Sequence, residues 1–297
     1  MKVLEKIESE VDNVVKYVFD SNGSPFEVSY INKNQRTDDE AKSASKHIIC
    51  VSTHSGCIMG CKFCHLTGNS TGMAQITPST IVDAVEVIYD EQIKDKEIKE
   101  ILVSFMGSGE PLMSSLVVTH TMSILNKHFK EKNMRFALAT MLPNTRDGRM
   151  ALFDIAEVVK NHEYNLKVHL SLHFTDDELR EHWMPNATNI ETAISALEYY
   201  ANLTGNEVEI HYALIDEVND SDDNCKKLAK LLKGRNIPIK FLKFNPSNES
   251  EFNPSDKSRF IVFRDYLSLH GIQSEYYEPN GADVGASCGQ FKLEHYK

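Results

Sequence analysis

Long apolar runs are missing from this sequence, and no uninterrupted stretch reaches the length that crosses a bilayer. The N-terminus, Met1-Lys2-Val3-Leu4-Glu5-Lys6, also lacks the apolar core and small-residue cleavage site of a secretory leader. A cytoplasmic protein with no membrane partner is therefore expected. Basic charge is short as well: 32 Lys and Arg stand against 43 Asp and Glu, a formal net charge of -11. That balance argues against general attraction to a phosphate backbone, so a nucleic acid would have to be met by a local basic patch. Cysteine is scarce and unevenly placed. Of six, three fall within residues 57–64 and the others stand alone, which argues against a disulfide framework and suits a reducing compartment. Linkers, low-complexity tracts and short internal repeats are absent too. A length of 297 residues fits one large α/β domain or two ordinary ones.

What the sequence does contain is Gly56-Cys57-Ile58-Met59-Gly60-Cys61-Lys62-Phe63-Cys64, with thiols at the spacing C-x3-C-x2-C. Three thiolates on so tight a loop can grip three corners of a four-iron, four-sulfur (4Fe-4S) cluster and leave one iron open to another ligand. A structural zinc is the competing reading. It is closed and four-coordinate, so it would need a fourth ligand such as His54 or His65, and only the isolated Cys225 and Cys288 lie downstream.

Apolar spacing at Val3, Leu4, Ile7, Val11, Val14 and Val15 predicts a short amphipathic helix over 1–16. The turn-rich Asp20-Ser21-Asn22-Gly23-Ser24-Pro25 between two apolar runs predicts a β-hairpin. Glu27 then lies on a strand, with exposure as its default, and 32–46 reads as a solvated loop. A buried strand over 47–53 leads into the cysteine loop. From there strands at 100–106, 134–140, 166–173, 208–215 and 237–244 alternate with helices. The first helix follows Thr77-Pro78, and others cover 116–129, 150–161, 188–201, 220–232 and 255–270. This alternation predicts a parallel sheet, and about six units are too few for an eight-unit barrel. The expected fold class is α/β, a partial (β/α)6 barrel over 47–297 with a helix-and-hairpin extension over 1–46.

In such folds chemistry gathers just beyond the carboxyl ends of the strands. Gly107 and Gly109 allow close backbone approach to a ligand and Glu110 could accept from an ammonium group, although Met106 to Pro111 also reads as a turn and cap. Thr140, Ser171, His173 and Asn245 close later strands; each singly reads as local capping, and together they describe a polar rim over the cluster loop. Taken alone, His173 reads as a hydrogen-bonded structural histidine. Cys288 stands among small residues in Gly285-Ala286-Ser287-Cys288-Gly289-Gln290, which suits an accessible thiol, although taken alone it reads first as an inert small hydrophobe, as Cys225 does in a predicted helix.

C-x3-C-x2-C with an aromatic before its last cysteine resembles the radical S-adenosylmethionine (SAM) superfamily, and Gly109-Glu110-Pro111 resembles its ligand-binding second motif. Cys50-Val51-Ser52-Thr53-His54-Ser55-Gly56-Cys57, Ser171-Leu172-His173, Asn245-Pro246 and Ala286-Ser287-Cys288-Gly289-Gln290 resemble the RlmN/Cfr RNA adenine methyltransferases. The resemblance implies a radical SAM barrel with a 4Fe-4S cluster on Cys57, Cys61 and Cys64. It also implies two SAM molecules per turnover, with Gly109, Glu110, Thr140, Ser171, His173 and Asn245 as SAM contacts. Cys288 would take a methyl group from the first SAM. A 5'-deoxyadenosyl radical from the second would remove hydrogen from that methyl, and the carbon radical would add to adenine, at C2 in preference to C8.

Cys50 would then resolve the adduct by attacking the sulfur of Cys288, leaving a disulfide for a reductant to clear. Glu27 matches the implied base, or is a plain surface glutamate. The implied partners are an RNA substrate, tRNA or rRNA, and an external electron donor such as flavodoxin or ferredoxin. Departures concern the substrate. Most of the family's helical N-terminal RNA-recognition region is missing, and acidity leaves a small nucleotide or peptide as the alternative. Lys226, Lys227, Lys230, Lys233 and Arg235, with Arg146 and Arg149, are either phosphate contacts or solvated helix faces.

Overall fold

A computed structural model of the chain describes residues 1–33, 46–67, 73–96, 100–246, 250–278 and 280–291. Ten strands follow one another in a single sheet in chain order. They are β1 Val3–Glu8, β2 Val14–Ser21, β3 Ser24–Lys33, β4 Lys46–Val51, β5 Glu100–Phe105, β6 Met134–Thr140, β7 Leu166–Ser171, β8 Val208–Leu214, β9 Ile239–Lys243 and β10 Ser274–Tyr277. The first four pair antiparallel. From β4 onward every pairing is parallel. Helices α1 Pro78–Gln92, α2 Ser115–His128, α3 Arg146–His162, α4 Asp177–Trp183, α5 Ile190–Thr204, α6 Asp222–Leu232 and α7 Lys257–Leu269 lie between the parallel strands. All but α2 begin at a residue whose side chain accepts from a first-turn N–H, a cap worth about 1 kcal/mol.

Strand alternation sorts the side chains into two sets. Ile49, Val103, Phe136, Val168, Ile210 and Phe241 are fully buried in the main core, with the apolar faces of the helices. The alternate residues, among them Ile48, Cys50, Leu102, Ala137, His169, His211 and Tyr277, line an interior lumen. At the strands' amino ends the inward positions carry charges of alternating sign. Lys46–Glu100 (3.0 Å), Glu100–Arg135 (3.1 Å), Arg135–Glu207 (3.9 Å), Glu207–Lys167 (3.5 Å), Lys167–Glu209 (3.3 Å), Glu209–Lys240 (3.0 Å) and Lys240–Glu275 (2.9 Å) run from β4 to β10. Single exposed pairs are worth little, but a ladder of this kind opposes register slips that would set like charges side by side.

The predicted α/β alternation is present, with two elements added: the seven-residue α4 and the four-residue β10. Two expectations are corrected. The segment 1–16 is not helical; it is β1, a turn and the start of β2. Val3, Glu5 and Ile7 alternate as well as they repeat helically, β-branched residues favour the strand, and pairing with β2 satisfies the backbone. Glu27 is buried rather than exposed, because β3 is flanked on both sides, by β2 and β4. Of the loop predicted over 32–46, residues 34–45 lie outside the described residues.

Candidate active site

At the carboxyl ends of the parallel strands lies a cavity of about 210 Å³. Cys57, Cys61, Cys64, Gly109, Glu110, Thr140, Ser171, His173, Asn245 and Cys288 all line it. The lumen beneath forms a second cavity of about 200 Å³ that Cys50 lines. Cys288 lines both, together with Met106, His211 and Leu242. Glu27 lines neither: its carboxylate is 2.5 Å from the buried Lys16 ammonium, and its carbonyl accepts from Ser52 Oγ at 2.7 Å.

The cysteine loop is set in an apolar nest of Met59, Met141, Phe174, Trp183, Met184 and Phe244. Burial pushes its thiols up, Cys57 to about 11, and their mutual repulsion adds to the rise at Cys57 and Cys61. Three thiolates here call for a positive partner that binds sulfur. The geometry favours a cluster over one zinc. Zn–S bonds of about 2.3 Å bring ligand atoms within roughly 4 Å of one another. Among the described residues only His169, Glu209 and His211 place three such atoms within 4.8 Å, and the loop thiols do not. His54, weighed above as a fourth zinc ligand, hydrogen-bonds instead to Ser114 Oγ (2.9 Å) and Thr53 Oγ1 (3.0 Å).

Glu110 is buried, and desolvation raises its pKa to about 7. Oε1 accepts from Leu112 N–H and Oε2 from Met141 N–H, both at 3.1 Å, so the carboxylate is fixed across the ends of β5 and β6. His173 has a positive φ of 56° and takes a hydrogen bond from Ala213 N–H on Nδ1 at 3.0 Å. Burial, with the charge of Arg180, lowers its pKa to about 3, so it is neutral. Thr140 Oγ1 accepts from Leu142 N–H at 2.9 Å, and Asn245 Nδ2 donates to the Cys288 carbonyl at 3.1 Å.

Gly109 has φ +103°, and a Cβ there would lie 2.5 Å from His54 Nδ1 and 2.6 Å from Thr53 Oγ1. Gly109→Ala is expected to cost at least about 1–3 kcal/mol in backbone strain. Thermal unfolding of the cofactor-free protein reads this, and an unchanged midpoint would show that the turn has another way to fold.

Arg180 was not foreseen. It is buried on α4, and its guanidinium donates to the carbonyls of Thr188 (3.1 Å), Ser171 (2.9 Å), Leu172 and Met141 (2.8 Å). Burial lowers its pKa to about 10, while Cys61 and Asp177 oppose the fall, so it stays cationic beside the thiols. In sequence it follows Asp176-Asp177-Glu178-Leu179 and reads as an ordinary solvated helix residue. Cys225 is buried, in keeping with its inert reading. Among the basic candidates, Arg235 is engaged by Glu191 and Glu198, Lys227 by Asp223, and Arg149 by Asn144.

An open parallel sheet with three thiols, a glycine-glutamate turn and polar strand ends around one cavity defines a radical SAM protein. The family model described as the radical SAM superfamily matches residues 51–229. The chain is 31% identical over 302 residues to the dual-specificity RNA methyltransferase RlmN of Campylobacter hominis, covering 99% of this chain and 81% of that one. It is likewise 31% identical to the probable RlmN of Clostridioides difficile, covering 98% and 79%. Among solved structures, a radical SAM methyltransferase from Sphaerobacter thermophilus matches with TM-score 0.79 and 25% identity, over 97% of this chain and 80% of that one. The chain belongs to the RlmN family of radical SAM enzymes. Its cofactors are accordingly a 4Fe-4S cluster and SAM. No helix among the described residues is long and apolar enough to cross a membrane.

Proposed function

We propose that the chain methylates an adenine carbon in RNA, at C2 in preference to C8, with Cys288 as the methyl carrier. One observation carries this reading: Cys288 borders both the cavity of the cluster thiols and the lumen that Cys50 lines. Cys57, Cys61 and Cys64 would hold the cluster, and Gly109, Glu110, Thr140, Ser171, His173 and Asn245 would hold SAM. These cofactors supply a sulfonium methyl and a 5'-deoxyadenosyl radical, drawing on two SAM per turnover and an electron from a donor such as flavodoxin or ferredoxin. Cys288, exposed, gives up its proton and takes the methyl as a thioether. Once that methyl has lost a hydrogen atom, its carbon joins the adenine and tethers it to Cys288; the open-shell adduct would then give one electron back to the oxidised cluster and lose the proton of the attacked carbon. Cys50, its proton given up, then attacks the Cys288 sulfur; the carbon–sulfur bond breaks with its electron pair going to carbon, which takes up a proton to become the product methyl, while a Cys50–Cys288 disulfide forms and a dithiol reductant restores both thiols.

For Glu27 to remove the adduct proton, its pairing with Lys16 would have to open. The relatives' names give RNA as what those proteins methylate; tRNA or rRNA as the substrate here, in a cytoplasmic setting, is part of this proposal. Anaerobic reconstitution with SAM and reductant, followed by mass spectrometry, tests the whole reading. 5'-Deoxyadenosine, methylated Cys288 and methyladenine in total RNA are expected together. 5'-Deoxyadenosine without any methyl on Cys288 would overturn it in favour of a radical enzyme acting on another substrate.

A further inference from the structure

The turn between β1 and β2 has no part in the chemistry above, yet it is bonded to the loop that carries Cys288. Asp12 uses both carboxylate oxygens: Oδ2 accepts from Gly281 N–H at 2.7 Å and Oδ1 from Asn280 Nδ2 at 3.0 Å. In the other direction, Asp283 accepts from Ser9 Oγ at 2.9 Å and from Glu10 N–H at 3.0 Å. Ser9 Oγ in turn accepts from Asp12 N–H at 2.8 Å, which stiffens the turn. Four residues after Asp12, on β2, Lys16 donates to the Gly285 carbonyl at 3.4 Å while paired with Glu27. The surfaces meet closely. Gly281 has φ +76°, and a Cβ there would lie 2.8 Å from Val14 Cγ1 and 3.1 Å from Ala286 Cβ.

The loop is cross-braced within itself. Ser287 Oγ donates to the Asn280 carbonyl at 2.7 Å and Ala286 N–H to the Gly281 carbonyl at 2.9 Å. Fixing its base at Gly281 therefore fixes the residues just before Cys288. At the far end, His65 N–H donates to the Gly289 carbonyl at 3.0 Å and Asn245 holds Cys288 itself. Three glycines with positive φ, Gly281, Gly285 and Gly289, would give this segment wide freedom if it were not held. Bonds from N–H groups to a carboxylate are roughly twice as strong as neutral ones, so the Asp12 and Asp283 pairs outweigh the neutral braces, and of the two Asp12 is the one that holds Gly281 at the base of the loop.

We propose that the β1–β2 turn is the seat of the Cys288 loop and that Asp12 is a positioning residue: it holds Cys288 at the junction of the two cavities. The functional half of this inference rests on Cys288 being the methyl carrier; the seat itself does not. The test uses the full-length reconstituted enzyme and Asp12→Ala, Asp12→Asn and Ser9→Ala. Amide exchange over 280–289 is followed by mass spectrometry, alongside the ratio of methyladenine to 5'-deoxyadenosine.

In Asp12→Ala, exchange over 280–289 is expected to speed up about tenfold, as loss of roughly one net hydrogen bond allows, with a comparable fall in the product ratio. Asp12→Asn keeps two side-chain positions but lacks the charge, and is expected to fall between. Ser9→Ala removes one surface hydroxyl without threatening the fold, and a smaller rise confined to the same residues is expected. Wild-type exchange at 280–289 in both Asp12→Ala and Ser9→Ala would overturn the seat. Faster exchange in a protein whose wild type never methylates Cys288 would keep the seat and remove the methyl-carrier reading.

Discussion

Cys50→Ala is expected to leave RNA covalently attached to the protein. Cys50 sits on β4, pairs with Ser29 of β3 and Ser104 of β5, and projects into the lumen bordered by Cys288. In the variant, methyl transfer to Cys288 and joining of its carbon to adenine need nothing from residue 50, so the tether forms. Its release needs a sulfur nucleophile, and alanine offers none. Turnover should stop after one event per protein, with Cys288 linked to adenine. A denaturing gel with labelled RNA, and peptide mass spectrometry after nuclease digestion, would read this directly. Normal multiple turnover by the variant would deny Cys50 its role.

The same residue carries a pH signature in the wild type. Burial, with some repulsion from Cys288, pushes its thiol up to about 12. Below that value the thiolate fraction grows about tenfold per pH unit, so release in a single turnover is expected to quicken on that slope from pH 7 to 9. A flat profile would place the slow step elsewhere. With Cys288 as the proposed methyl carrier, a raised thiol pKa would also keep Cys50 from competing for the methyl group. That division of labour follows from exposure: Cys288 is exposed and Cys50 is buried.

The parallel half of the fold was legible because its strands are short apolar runs and its helices carry caps and stripes that local chemistry dictates, as at Thr77-Pro78. The N-terminal segment misled because a six-residue strand rich in β-branched residues offers too few positions to separate a period of two from one of 3.6. The thiol spacing reached a cluster on its own, but the meeting of Cys50 and Cys288 at one lumen joins residues 238 positions apart and has no local signal. Glu27 and Arg180 show the same limit from the charged side. Sequence gives a carboxylate or guanidinium an exposed default, and only the partners supplied by the fold, Lys16 in one case and a set of carbonyls in the other, permit burial.

Arg180 therefore gives the largest expected loss of stability. Arg180→Leu removes the donors that serve the carbonyls of Met141, Ser171, Leu172 and Thr188. These carbonyls lie just past β6, at and just past the end of β7, and just before α5, and Met141 and Ser171 among them shape the cavity wall. Leucine fills part of the space but offers no hydrogen bonds, and removing one side of a buried polar network costs about 3–5 kcal/mol. Arg180→Lys keeps the charge and reaches fewer acceptors, so it should recover only part of the loss. Urea unfolding of the cluster-free protein isolates this effect: the midpoint should fall while the slope holds. A loss below about 1 kcal/mol, the size of an ordinary surface change, would show that these carbonyls find other donors. In the cofactor-loaded enzyme a second effect follows. Arg180 is the cation that favours negative charge at Cys61, so its removal should also speed loss of iron, and Arg180→Lys should separate the two roles by holding iron better than it holds the fold.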